Sequence, residues 1–275
     1  MWYNVCMHRI YHNHIPRTGG NFVRDILTNK MFVVSNPTVH IRHPDYQFKE
    51  LKKEEIINAD IISGHFGIEP EMLLGKENLY SITTLRNPIV RLVSHFTANM
   101  EFVFQKNPVY SDDIYAIGEP NTEKALKMFK KWIRNSEDML SKSNFQSRWL
   151  LNGLNNNLKP VTAKDAVDEN QLILLTTRDG WGVGIKEPSY DETLEKINNM
   201  FCVGTTEKIK DFFLNFDKKI YDNFNLILPE IVLEPKEYAL TSTLNLYNAL
   251  SSEDIDIIKE LNQIDLKIWE NQNNK

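Results

Sequence analysis

The chain has 275 residues, 41% of them hydrophobic, which suits one domain, residues 1–275, with a substantial core. A formal net charge of -5 argues against nucleic acid or an acidic membrane surface as the main partner. Cys6 and Cys202 are too few and too far apart for a disulfide framework or a cysteine-based metal site, and no apolar run approaches the roughly 20 residues of a membrane span. Residues Met1 to Val5 lack the basic and apolar parts of a secretion leader, so the expected location is cytoplasmic.

Residues 1–9 read as a short extension. Arg9 to Ile15 is rich in β-formers and reads as a buried strand end. Phe22, Val23, Ile26 and Leu27 then fall on one helical face. Gly19-Gly20 therefore sit in a tight turn between a strand and a helix N-terminus. Such a turn offers backbone N–H groups and the positive end of a helix dipole to an anion. Arg17 adds a planar cationic fork suited to phosphate or sulfate oxygens. The pattern G-x-x-x-x-G-K-[ST] is absent, so the turn is not a Walker A loop.

Residues 30–58 mix β-formers, Pro37, Pro44 and a charged run from Lys49 to Glu55 that reads as a solvated helix face. His40, Arg42 and His43 read as surface loop. Asp60 to Gly67 reads as a second buried strand ending in a glycine turn. That puts His65 at a strand's carboxyl end, the edge where parallel α/β sheets bind ligands. Leu79 to Leu85 is the clearest strand. It runs into Arg86-Asn87-Pro88, with Pro88 suited to a first helical turn and Ile89, Leu92, Val93 and Phe96 on the core face that follows. Arg86, at the strand end, and Ser94, two turns into the helix, are placed to share one phosphate group.

Glu123 to Ile133 reads as an amphipathic helix. Ser143 to Leu150 weaves polar residues through aromatics, and Asn144, Gln146 and Arg148 are candidates to line a cleft. Leu172 to Leu175 is a short apolar run, and Gly180 to Gly184 reads as a glycine loop. Met200 to Glu207 reads as another buried strand, with Cys202 in the core and Thr206 as the N-cap of the next helix. Residues 225–245 read as a proline-punctuated loop carrying Lys236 and the hydroxyls of Thr241, Ser242 and Thr243. Ser251 or Ser252 caps a last helix, roughly Glu253 to Glu270, and Asn271 to Lys275 should fray.

Two of these stretches carry a family resemblance. His14-Ile15-Pro16-Arg17-Thr18-Gly19-Gly20 resembles the 5′-phosphosulfate loop of carbohydrate sulfotransferases, the nearest branch being the heparan sulfate 2-O- and 6-O-sulfotransferases and their bacterial relatives. Thr84 to Phe96, built around Arg86-Asn87-Pro88 and Ser94, resembles that family's 3′-phosphate motif. Gly64-His65 matches the place where the 2-O-sulfotransferases carry their catalytic histidine. Phe201 to Glu207 is similar to a later family strand, and Asn144 and Gln146 to an Asn-x-Gln segment. The chain departs from the pattern in Arg17, where lysine is usual, in Asn21 and Phe22, which replace a Thr/Ser pair, and in Ser63, where the 2-O-sulfotransferases have a second histidine.

The resemblance implies a three-layer α/β sandwich with a mostly parallel central sheet, of the P-loop nucleotide-kinase-like sulfotransferase fold. It implies a donor, 3′-phosphoadenosine 5′-phosphosulfate, and a carbohydrate or other hydroxyl acceptor. By it, Arg17, Thr18, Gly19, Gly20 and Asn21 hold the 5′-phosphosulfate, Arg86 and Ser94 the 3′-phosphate, and His65 takes the acceptor proton. Asn144, Gln146, Arg148 and Lys236 are the acceptor-side candidates, and no metal is required. The alternatives are a P-loop-like small-molecule kinase, which lacks here its Mg²⁺-binding hydroxyl after a lysine, and an inactive glycan-binding module.

Overall fold

Short runs of β-branched and aromatic residues, each followed by a turn and then a helical pattern, pair in parallel because every connection is long enough to cross over the sheet. The computed structural model describes residues 9–35, 39–41, 52–106, 122–135, 139–151, 187–230 and 241–275. Its strands are β1 (Arg9–Asn13), β2 (Val39–Ile41), β3 (Ile61–Gly64), β4 (Leu79–Leu85) and β5 (Cys202–Thr205). They form one five-stranded sheet in the order β2-β3-β1-β4-β5, with every pairing parallel.

The helices are α1 (Gly20–Ser35), α2 (Lys53–Ile56), α3 (Glu69–Leu74), α4 (Pro88–Lys106), α5 (Thr122–Arg134), α6 (Met139–Lys142), α7 (Phe145–Leu151), α8 (Tyr190–Asn198), α9 (Ile209–Phe224), α10 (Thr241–Asn248), α11 (Ser252–Leu261) and α12 (Gln263–Asn273). Side chains alternate across each strand. On one face, Ile10, Ile61, Ile82 and Cys202 pack against Val23, Ile26 and Leu27 of α1 and Phe212, Phe213 and Phe216 of α9. On the other, Tyr11 and Ile62 pack with Ile56 and Phe66, and Leu85 packs with Phe145, Trp149, Ile197 and Ile268. This is helix–sheet–helix layering. A further cluster joins Leu92, Val93 and Phe96 of α4 to Phe129, Trp132 and Ile133 of α5 and Ile258 of α11.

The chain leaves β1 toward β2 on one side, and leaves β4 toward β5 on the other. The connections from these two adjacent strands therefore diverge at the strands' carboxyl ends. That crevice is where an open α/β sheet takes a ligand. Both motifs singled out in the sequence, the turn after β1 and Arg86-Asn87-Pro88 after β4, meet there.

Several expectations need correction. The last helix is two helices, broken at Asn262, which adopts φ -125° and ψ 34°. The break is held by an exchange: Asn262 Oδ1 accepts from the Asn144 N–H at 3.1 Å, and Asn144 Oδ1 accepts from the N–H groups of Ile264 and Asp265. Asn273 does not fray, because it ties to Thr205 Oγ1 at 2.9 Å. Thr241 to Thr243 open α10 rather than lying in a loop. Tyr190–Asn198, not read as a helix in the sequence, is one, capped by Ser189 Oγ on the Glu192 N–H. Ser251 caps α11 in a capping box with Asp254, as its pattern predicts. His40 lies in β2. Residues 1–8, Pro37, Arg42, His43, Pro44, Leu172 to Leu175, Gly180 to Gly184 and Lys236 lie outside the described residues. Among the described residues no helix is long and apolar enough to cross a membrane.

Candidate active site

The turn after β1 is built from backbone that few residues adopt. Arg17 has φ 70° and Gly19 φ 78°, separated by Thr18. Reversals of this kind fold successive N–H groups toward a common concavity. The carbonyls on the outside are fixed by side chains. Arg86 Nη1 donates to the Arg17 carbonyl at 3.2 Å. Thr84 Oγ1 and Thr206 Oγ1 both donate to the Thr18 carbonyl, at 2.9 and 2.8 Å. Thr18 Oγ1 closes the turn by donating to the Ile15 carbonyl at 2.9 Å. The first inward bond of α1 runs from the Val23 N–H to the Gly19 carbonyl. Among the described residues, the N–H groups of Gly19, Gly20 and Asn21 have no backbone acceptor.

Gly20 is compelled by contact rather than by φ. A Cβ there would lie 1.8 Å from His14 Cδ2 and 2.2 Å from His14 Nε2. The start of α1 therefore rests directly on an imidazole face.

Two arginines converge on this turn. Arg17 Nε and Nη2 both donate to Ser94 Oγ, at 3.1 and 3.0 Å. Ser94 accepts both and keeps its own O–H to donate. Arg86 is gripped through its backbone. Gln146 Oε1 accepts from the Arg86 N–H and Gln146 Nε2 donates to the Arg86 carbonyl, each at 2.9 Å. Gln146 is itself set by Asp265, whose carboxylate accepts from the N–H groups of Gln146 and Ser147 and from Ser147 Oγ. Asn87 Oδ1 accepts from the Ile89 and Val90 N–H groups and starts α4, with Pro88 at its first position. Glu207 accepts from the Asn87 N–H and from Trp269 Nε1.

The electrostatics favour an anion. Burial lowers the Arg86 pKa, with Glu207 pulling the other way. Arg91, fully buried and with Cζ 4.4 Å from the Phe145 ring centroid, is pushed down to about 10 by burial, against Asp265 and with repulsion from Arg86 and Arg17 adding to it. Arg91 thus feels repulsion from Arg86 and Arg17, with Asp265 and Glu207 as the opposing carboxylates. An oxyanion bound near these guanidinium groups would offset that repulsion.

Beside the turn lies a row of histidines. His12 and His14 rings stack at 5.4 Å, and His14 and His65 rings approach to 4.2 Å. His12 Nδ1 bonds Ser63 Oγ at 2.8 Å. His65 Nδ1 lies 2.8 Å from the His14 carbonyl. A carbonyl only accepts, so Nδ1 carries the proton and Nε2 of the neutral ring carries a lone pair. The Trp149 indole stands edge-on to His65 at 5.8 Å and donates to Asn13 Oδ1. Burial, reinforced by His65 and then Arg24, pushes His12 down to about 3. Burial, reinforced first by His65, holds His14 well below its usual value.

The structure thus brings together Arg17, Thr18, Gly19, Gly20, Asn21, Arg86 and Ser94, with His65 on the adjoining strand end. Ser94 pairs with Arg17, whereas the sequence pattern grouped it with Arg86. The acceptor-side candidates are placed differently. Asn144 joins α7 to α12, Gln146 holds the Arg86 backbone, and Arg148 is buried on the Ser143 carbonyl with an ion pair to Glu187. These three side chains are engaged within the scaffold. Thr84, Thr206 and Asp265 went unremarked as site residues in the sequence, because each acts through a partner far along the chain. Among the described residues, no group of three or more His, Cys, Asp or Glu side chains is placed to hold a metal ion. No family model, curated protein or solved structure matches this chain.

Proposed function

We propose that this chain transfers a sulfuryl group from 3′-phosphoadenosine 5′-phosphosulfate to a hydroxyl of a carbohydrate or related acceptor. The observation that carries the reading is the meeting of Arg17, Ser94 and Arg86 at the glycine turn that opens α1. Two cationic groups and the N–H groups of Gly19, Gly20 and Asn21, which among the described residues have no backbone acceptor, suit a ligand with two separate oxyanions. The parallel sheet, with this turn between its central strand and the following helix, supports a nucleotide-kinase-like P-loop fold as the finer assignment.

In this account Arg17 and the N–H groups of Gly19, Gly20 and Asn21 hold the 5′-phosphosulfate. Arg86 holds the 3′-phosphate, and Ser94, which accepts from Arg17, donates its O–H to the same group. The acceptor oxygen attacks sulfur in line with the leaving phosphate oxygen. The O–S bond to the acceptor forms as the S–O bond to the 5′-phosphate breaks. His65 Nε2 takes the acceptor proton, and Arg17 stabilises charge growing on the leaving oxygen. Positioning and charge stabilisation supply most of the acceleration, as in phosphoryl transfer.

Ligand-dependent melting tests this. Adenosine 3′,5′-bisphosphate at about a hundred times its dissociation constant stabilises by about 2.7 kcal/mol, and ATP with Mg²⁺ should do little. A larger shift with ATP and Mg²⁺ overturns the proposal in favour of a kinase.

A further inference from the structure

We infer that Thr206 is a positioning residue that locks the two halves of the donor site together; this rests on the donor reading above. Thr205 lies opposite Leu85 in the sheet, so the residue after β5 arrives over the end of β4. Thr206 Oγ1 sits 2.8 Å from the Thr18 carbonyl and 3.0 Å from the Leu85 carbonyl. Its one proton is shared between the turn that carries Arg17 and the strand end that carries Arg86.

Each contact fixes a whole peptide group, because the amide is planar and trans. Holding the Thr18 carbonyl outward turns the Gly19 N–H the opposite way. Thr84 Oγ1 grips the same carbonyl at 2.9 Å. The Leu85–Arg86 peptide is clamped at both ends, its carbonyl by Thr206 and its N–H by Gln146. The Thr206 methyl adds a steric stop, with Cγ2 3.2 Å from where a Cβ would stand at Gly19.

Thr206 gives up a local role to do this. A threonine followed by glutamate at a helix start is the pattern of an N-cap. Yet neither Thr205, which precedes a 3₁₀ turn at Thr206–Lys208, nor Lys208, which precedes α9, makes a side-chain cap, and the Thr206 hydroxyl is spent on the Thr18 and Leu85 carbonyls. Local rules broken in this manner concentrate at functional sites.

The test is calorimetric titration of adenosine 3′,5′-bisphosphate into the wild-type chain, Thr206→Val, Thr206→Ser, Thr84→Val and the double valine variant, with melting temperatures alongside. Thr206→Val should weaken binding about tenfold, the loss of one oriented hydrogen bond. Thr206→Ser, which keeps the hydroxyl, should stay within about threefold. The double variant should lose more than the product of the single losses, since each hydroxyl partly covers for the other on one carbonyl. A folded Thr206→Val that binds like the wild type overturns the inference, as does a Thr206→Ser as weak as the valine. If Thr206→Val does not fold, a folded Thr206→Ser that binds about tenfold or more weakly than the wild type overturns it instead. A wild-type chain that binds no bisphosphate overturns the donor reading, and the inference with it.

Discussion

Gly20→Ala sets two physical arguments against each other. Alanine is the better helix former, and the substitution in a helix ordinarily stabilises by about 0.5–1 kcal/mol. Here the added methyl would stand 1.8 Å from His14 Cδ2 and 2.4 Å from His14 Cγ. Carbon atoms in contact sit about 3.5–4.0 Å apart, so the overlap exceeds an ångström. His14 has nowhere to go: it is buried, with the His12 ring stacked at 5.4 Å and the His65 ring at 4.2 Å. Overpacking of this kind costs about 1–3 kcal/mol, and an overlap this large belongs at the upper end. After the propensity gain, the net loss is about 2 kcal/mol, or a melting temperature lower by about 4–8 °C. Urea and thermal unfolding of Gly20→Ala measure this. The companion variant His14→Ala removes the ring, and in that background Gly20→Ala should be neutral or stabilising. If Gly20→Ala alone is as stable as the wild type, the packing of α1 on His14 is refuted.

Arg17→Ala should abolish transfer and weaken bisphosphate binding, while Arg17→Lys should retain substantial activity as a point charge on the same oxygens; near-normal turnover of Arg17→Ala in a labelled-donor assay sinks that role. His65→Ala should lower kcat by about 10²–10⁴-fold with donor affinity almost unchanged; a stable variant within a few-fold of wild type removes His65 from the mechanism. Stability should fall on acidification. His12, His14 and His95 are buried neutral, with pKa values pushed down by burial first and by neighbouring charge second. The unfolded chain binds protons below about pH 6.5 where the native one does not, so stability is full above that pH and is lost below it. Each histidine contributes a slope of about 1.4 kcal/mol per pH unit there, and urea titrations at pH 7.5, 6 and 5 read their sum. A flat profile across that window contradicts burial of these three histidines in the neutral form.

Local signals found the elements whose causes are local. Leu79 to Leu85 matches β4 end to end because a buried run of β-formers has one reading. Pro88 starts α4 for the reason its missing N–H suggests. The glycine turn and its two cationic partners were visible as types and order, and the sheet order then brings them together. What escaped was whatever depends on a distant partner. The Thr206 hydroxyl answers to Thr18 and Leu85, 188 and 121 residues away, so its cap-like context misled. Asn144 looked like a cleft residue because it is polar among aromatics, but its amide is used by the first turn of α12. The same exchange splits a helix whose apolar spacing runs on unbroken through Asn262.

The central claim is a site for two oxyanions on one nucleotide, and a comparative calorimetric titration tests it most directly. Adenosine 3′,5′-bisphosphate should bind at one site, and adenosine 5′-monophosphate at least about tenfold more weakly. Arg86→Ala should cost roughly 2–5 kcal/mol of bisphosphate binding and erase that preference, if Arg86 holds the 3′-phosphate in a buried charge-assisted contact. Equal affinity for the two nucleotides in the wild type, or a preference that survives Arg86→Ala, contradicts the account.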